Sequence, residues 1–303
     1  MPVGRRLWAA TACLLLGLTA ACGGTSPGSG AAGAAGSGES GGSVVGAPPG
    51  TSGSSASNTG STPAASGSWN LVFSDDFGGD SLDTAHWATC YDWNDSGCTN
   101  AGNRELEWYQ PGQVSVADGT LNLEAKRTPT QGSDGKTYPW TSGMVTTGRD
   151  SWNAQPRETF LHGYFAASIR IPPQAGMFPA FWLLPAEHNV PQEIDIAEFS
   201  GTTQAVQNTL HWQKSDGGAA QRQNWFGPVN FPAGFHVFGV DWEPKSVTWY
   251  VDGVARWRIA DPAEIPTLPM EVILNLAVGY PYAPPANVNQ ADMQVQWVKV
   301  WQH

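Results

Sequence analysis

Glu193, Asp195 and Glu198 stand within six residues whose other members, Ile194, Ile196 and Ala197, are apolar. Taking an unpaired carboxylate out of water costs several kcal/mol. A segment selected only for folding would rarely carry three. Two carboxylic acids held close together are also the minimum equipment for breaking a glycosidic bond. One protonates the departing oxygen, while the other attacks the anomeric carbon or activates water. The six residues therefore point to hydrolytic acid–base chemistry, and the chain around them must hold the acids on one surface.

In an extended strand successive side chains alternate between faces. Glu193 and Asp195 then share a face and Ile194 and Ile196 turn to the core, but strict alternation sends Glu198 to the core side. A β-bulge at Ile196-Ala197, with the small Ala197 as the extra residue, returns Glu198 to the face of the other two. The carboxylate strand follows a second apolar run, Ala180 to Leu184, across a short loop.

The chain from Ser68 to His303 is written in short alternating segments separated by Gly, Pro, Asn and Asp, the pattern of an all-β sandwich. Val114–Val116 and Leu121–Ala125 flank a hairpin turn at Asp118-Gly119, and Val247–Val251 and Val254–Ile259 flank a second at Asp252-Gly253. Further strands are expected at Tyr164–Ile171, Gln204–His211, Phe235–Trp242, Met270–Ala277 and Met293–Trp301. No long helix and no internal repeat is evident.

Residues 1–22 read as an export signal: Arg5-Arg6, an apolar run from Leu7 to Leu18, then small residues ending at Cys22. The apolar run is short for a membrane span, which needs about 20 residues. Its ending is similar to a bacterial lipobox, which makes Cys22 the expected lipidation site. Residues 23–67 are Gly, Ser, Ala, Thr and Pro with one charge, Glu39, and nothing in them could offset the entropy of ordering. They are expected to form a disordered tether between a lipid anchor and the body. The expected location is the cell envelope, with membrane contact only through that anchor, or the exterior.

The formal charge of −11 argues against nucleic acid and anionic membranes as partners. A neutral polysaccharide suits both that charge and the 15 tryptophans. In an exported chain Cys90 and Cys98 are expected to close a small loop by a disulfide. No metal site is expected, because no His or second Cys pair has ligand spacing. A monomer is expected.

Glu193-Ile194-Asp195-Ile196-Ala197-Glu198 resembles the signature of glycoside hydrolase family 16, in the bulged form of the laminarinase-like branch. Asn103-Arg104-Glu105-Leu106-Glu107-Trp108-Tyr109 is similar to that family's "NxELxxY" stretch, and Pro179–Pro185 to its "PAFWLLP" strand. Phe235–Trp242 with Trp249–Gly253, and Leu274–Gly279, match further segments in order. The resemblance implies a β-jelly-roll sandwich of two antiparallel sheets with a concave substrate cleft. It also implies Glu193 as nucleophile, Asp195 as its helper and Glu198 as acid/base. The implied activity is a retaining endo-β-glucanase for β-1,3-linked or mixed-linkage glucan. An endo-β-galactanase or an envelope transglycosylase is the alternative within the family, and a non-catalytic glucan-binding protein is the alternative outside enzymes.

Departures from the pattern bear on specificity. Ala166 and Ser168 replace two charged residues, and Phe178 stands where laminarinases usually carry Trp. Gln296 takes the place of an Asp that binds structural calcium in many relatives, and an amide is a poorer calcium ligand than a carboxylate. No cofactor is expected. Trp182, next to the carboxylate strand by the family pattern, is expected against the sugar ring, the alternative being core packing. His211 touches the nucleophile or sugar, or is structural. Asn103, Trp108, Trp212 and Trp225 complete the expected substrate contacts.

Overall fold

The computed structural model describes residues 63–91, 97–151, 154–187 and 190–303. Residues 1–62, on which the expected export signal with Cys22 and most of the expected tether fall, lie outside the described residues. Among the described residues, no helix is long and apolar enough to cross a membrane.

Two sheets carry the fold. The larger has ten strands. Its main path runs Val254–Ile259, Ser246–Val251, His236–Glu243, Gly163–Arg170, Gln290–Gln302, Thr120–Lys126, Trp140–Ser142 and Glu107–Tyr109, with Asn70–Asp75 and Val114–Ala117 attached. The smaller has six strands in the order Ala219–Phe226, Val206–Gln213, Glu193–Glu198, Met177–Pro185, Met270–Val278 and Met144–Thr146. The sheets are open, not closed into a barrel, as expected for a jelly-roll sandwich.

Alternation explains the core. Phe181, Leu183, Ile194, Leu274 and Leu276 from the smaller sheet meet Phe165, Ala167, Val240, Trp242 and Val298 from the larger, all buried in one cluster. At roughly 25 cal/mol per Å2 of apolar surface removed from water, this interface dominates the stability. The two expected hairpins form. Asp118-Gly119 and Asp252-Gly253 all have φ between 51° and 75°, as a type I′ turn requires.

Three elements differ from the expectation. Ala219–Phe226 is a strand although its sequence, AAQRQNWF, lacks an apolar alternation. It is the edge of the smaller sheet, where a ladder on one side suffices. The short strands Glu107–Tyr109 and Trp140–Ser142 pair in parallel, and sequence alternation alone does not reveal them. The body also begins before Ser68: Ala65 packs on an outer-face cluster of Tyr164, Trp297 and Trp301, and its carbonyl accepts a hydrogen bond from Trp69 Nε1 at 3.1 Å.

Candidate active site

The bulge in the carboxylate strand forms, one residue earlier than expected. Trp182 stands opposite Asp195 and Phe181 opposite Ala197, which leaves Ile196 without a counterpart. On the other side Asp195 faces Thr209 and Glu198 faces Gln207. Ile196 and Ala197 are 1% and 2% exposed and both belong to the core cluster. Two successive side chains thus point inward, and Glu198 returns to the face of Glu193 and Asp195.

A bulge frees backbone carbonyls from the ladder, and these must find donors. Asp195 O accepts from Trp249 Nε1 at 2.9 Å, reaching across the core from the larger sheet. Ile196 O accepts from Asn208 Nδ2 at 2.8 Å, from the adjacent strand. Both donors are buried. The sandwich therefore holds the bulge from two directions.

The cleft above this strand is lined by Tyr91, Asn103, Glu105, Phe178, Trp182, Glu193, Glu198 and Asn275, among others. Asp195 is 3% exposed between the two glutamates, and its Oδ2 lies 3.2 Å from His211 Nε2. Thr209 Oγ1 donates to Glu198 Oε2 at 3.3 Å and accepts from Gln207 Nε2 at 3.1 Å. Burial raises all three acids. Glu193 is pushed well above the usual range, with the Asp195 charge adding to the burial and His211 opposing it. Asp195 is likewise raised by burial and by Glu198. Burial and the charge of Glu193 push Glu198 up to about 8. A low-dielectric site with three acids favours keeping protons on two of them, the arrangement that separates an acid from a base.

Trp182 lines the cleft, and its Nε1 donates to Asn275 Oδ1 at 2.8 Å. Asn275 Nδ2 in turn donates to Tyr109 Oη at 3.0 Å, so the indole is fixed by a buried polar chain. Asn103 lines the same cleft and donates from Nδ2 to Glu105 Oε1 at 3.0 Å. Cys90 and Cys98 are disulfide-bonded with Cα atoms 4.8 Å apart. The bond anchors Tyr91 against the edge of Tyr109, 5.4 Å between centroids.

Two expected contacts fall elsewhere. Trp108 is 7% exposed and packs against Tyr138 in a tilted arrangement, 5.1 Å between centroids, away from the cleft lining. Alternation is the reason: Tyr109 joins the cluster of Trp182, so Trp108 takes the opposite face. Trp212 packs on the core for the same reason, being one residue beyond His211. Trp225, by contrast, is 48% exposed on the cleft side, opposite Gln207. Ala166 and Ser168 lie on the outer face of the larger sheet. Ala166 packs with Trp301, and Ser168 Oγ donates to Gln296 Oε1 at 2.9 Å. The two lost charges therefore do not border the cleft.

Gln296 is engaged by Ser168 and offers only a neutral amide, so the residues at the position tied to calcium do not fit that ion. Glu193, Asp195 and His211 bring ligand-type atoms within 4.8 Å of one another and could hold a cation by composition. Two of these groups, Asp195 and His211, are already joined by a hydrogen bond.

Glu105, Asn275, Tyr91 and Tyr109 belong to the cleft or its floor without having been singled out from sequence. The signal for Glu105 was present, since it lies two residues from Asn103 in the same stretch. Asn275 was hidden in a run, LNLA, that otherwise reads as core.

An open β-sandwich with a carboxylate triad across one sheet defines a protein of the glycosidase type. The sequence profile of glycosyl hydrolases family 16 matches residues 103–299, and the chain belongs to that family. It is 34% identical over 248 residues to the endo-1,3-1,4-beta-glycanase EglC of Rhizobium meliloti, covering 76% of this chain and 51% of that protein. It is 32% identical over 203 residues to a glucan endo-1,3-beta-glucosidase of Cryptopygus antarcticus, covering 62% of this chain and 68% of that protein. The fold superposes on the endo-beta-1,3-glucanase of Pyrococcus furiosus with a TM-score of 0.66 at 28% identity, covering 77% of this chain and 94% of that one. The chain spans between 38% and 51% of the length of three curated relatives that it matches.

Proposed function

We propose that this protein is a retaining endo-β-glucanase that cleaves β-1,3-linked glucan, with mixed-linkage glucan as a secondary substrate. The observation that carries the reading is the bulged strand, which presents Glu193 and Glu198 to one cleft beside Trp182, with Asp195 buried between them. The names of the relatives support the substrate class.

Each residue has a role that its surroundings favour. Glu198, holding its proton to about pH 8, gives that proton to the glycosidic oxygen as the bond to the anomeric carbon breaks. Asp195 keeps the proton shared with Glu193 and donates it as a hydrogen bond, leaving Glu193 as the carboxylate that bonds to the anomeric carbon. His211 fixes Asp195 from the adjoining strand. In the second half, Glu198 takes a proton from water, the water oxygen bonds to the anomeric carbon, and Glu193 leaves. Trp182 supports the ring undergoing substitution, and Asn103 binds hydroxyls alongside it.

The protein acts as a monomer on a neutral polymer outside the cytoplasm. Cys22 carries the lipid, and residues 23 to about 62 span the distance to the substrate. Mass spectrometry of the mature N-terminus tests the anchor. For the activity, laminarin, mixed-linkage glucan, galactans and agarose are offered in parallel and product sizes are resolved. Oligosaccharides from laminarin are expected, and release from galactans alone would refute the glucanase reading. NMR of the first products should show the β-anomer.

A further inference from the structure

Two buried acids take no part in the chemistry above. Glu105 lines the cleft and is 7% exposed, and Glu107, two residues on, is 0% exposed. Glu107 Oε2 accepts from the Val278 N–H at 2.7 Å, and Glu105 Oε1 accepts from Asn103 Nδ2 at 3.0 Å. With both acids ionised, the second oxygen of each, Glu105 Oε2 and Glu107 Oε1, is buried without a hydrogen-bond partner. Two carboxylates cannot bond to each other, because an ionised carboxylate only accepts. The two side chains are nevertheless within hydrogen-bonding reach of one another. A single proton between them satisfies both oxygens at once.

We propose that Glu107 is a positioning residue: it stays protonated and donates from Oε1 to Glu105 Oε2, which fixes Glu105 as an ionised acceptor in the cleft wall. The surroundings decide which acid keeps the proton. Burial raises Glu105, but hydrogen bonds from Glu107, Asn103, the Asn100 backbone and Tyr109 all oppose it. Glu107 has only the N–H groups of Val278 and of its own backbone in its favour. It also lies wholly out of water, where a charge is costliest. Burial therefore pushes Glu107 well above the usual range, and the charge of Glu105 adds to the effect. An O–H bonded to a carboxylate is roughly twice as strong as a neutral pair, so the arrangement holds both side chains in place.

The consequence for catalysis rests on the glucanase reading above. A sugar hydroxyl that donates to Glu105 meets a carboxylate already oriented by Asn103 on one oxygen and by Glu107 on the other. Little side-chain freedom is then left to lose on binding. The same acid ties this part of the cleft wall to the smaller sheet. Glu107 holds the Val278 N–H, and the Leu106 N–H donates to Val278 O at 2.8 Å. Without the proton on Glu107, Glu105 takes one up itself or turns from its buried neighbour, and the fixed acceptor is lost.

The test compares the unaltered chain with Glu107→Leu, Glu107→Gln and Glu105→Gln, by kinetics on laminarin and by infrared difference spectroscopy at neutral pH. Leucine removes the donor. Glutamine keeps an N–H toward Glu105, while its carbonyl still accepts from the Val278 N–H. For Glu107→Leu, kcat/KM should fall about tenfold or more, and Glu107→Gln should restore most of that loss. Glu105→Gln, which removes the charge, should lose about tenfold more than Glu107→Gln. The infrared readout does not depend on turnover: a carbonyl band of a buried protonated acid should be present in the unaltered chain and lost in Glu107→Gln. A loss in Glu107→Gln equal to that in Glu105→Gln, or an unchanged acid band, would overturn the proposal. If Glu107→Leu does not fold, the two glutamine variants still decide it. If the unaltered enzyme leaves laminarin intact, the glucanase reading falls, and the band alone decides where the proton sits.

Discussion

Asn208→Leu separates the fold from the geometry of the acids. Asn208 touches no cleft residue in its role here; it is 1% exposed, and its Nδ2 satisfies the carbonyl of the bulge residue, Ile196, at 2.8 Å. Leucine has the same heavy-atom branching and is the larger side chain, so no cavity opens. What is lost is the donor, and a buried carbonyl left without one costs about 1–3 kcal/mol. Part of this is returned, because the buried Asn208 Oδ1 is itself without a partner in the structure and disappears with the substitution. A net loss of about 1–2 kcal/mol is expected, and for a body of this size that lowers Tm by roughly 2–8 °C.

The larger effect should be on catalysis. With the carbonyl unsatisfied, the strand between Asp195 and Glu198 relaxes toward regular pairing, which turns Glu198 away from the cleft. A fall in kcat of about tenfold corresponds to roughly 1.4 kcal/mol of lost transition-state stabilisation. KM for laminarin should change little, because Trp182 and Asn103 are on other elements. Differential scanning calorimetry and steady-state kinetics on laminarin measure the two quantities. A variant with lowered Tm but kcat within twofold of the parent, and an unshifted pH profile, would refute the claim that the bulge bond positions Glu198.

Further outcomes follow from the same structure. Glu193→Gln should reduce glucanase activity at least a thousandfold with the fold intact by circular dichroism; retention of most activity would remove Glu193 as nucleophile. Because Glu198 is held up at about 8, kcat/KM should decline above that pH as its proton is lost. The stability sign is also set: folded Glu198 keeps a proton that the unfolded chain releases near its ordinary value of 4.5. Its contribution to stability therefore diminishes as pH rises from there to about 8 and is level above. Glu198→Gln should flatten this slope in thermal melts between pH 5 and 9, and an identical slope in the variant would count against the burial of the acid. Reducing Cys90–Cys98 removes about 2–3 kcal/mol by the loop-entropy model, and Tm should drop by roughly 4–12 °C. Trp108→Phe should leave kcat and KM on laminarin unaltered, whereas Trp182→Phe, losing its bond to Asn275, should lower kcat/KM about tenfold.

Much of the site was legible because its signal is local. Three acids among isoleucines cannot be explained by packing, and counting faces demands a bulge between Asp195 and Glu198. Cys90 and Cys98 likewise declare themselves by their spacing, and the two are disulfide-bonded. Trp108 and Trp212 were misplaced because tryptophan suits both a core and a sugar. Only the phase of each strand decides between them, and in both cases the adjacent residue, Tyr109 or His211, takes the cleft side. The edge strand Ala219–Phe226 was missed because an edge half exposed to water needs no apolar alternation.

The sequence by itself determined the chemistry: which acids, in what order, on a strand of an all-β body. Only the tertiary structure decided how that strand is held and what surrounds it. Trp249 reaches Asp195 O from the opposite sheet, Asn208 reaches Ile196 O from the next strand, and Asn275 fixes Trp182 from the far side. These partners are separated in the chain by up to 93 residues. Their pairing depends on sheet register, which the burial of both inner faces sets cooperatively and no short segment encodes.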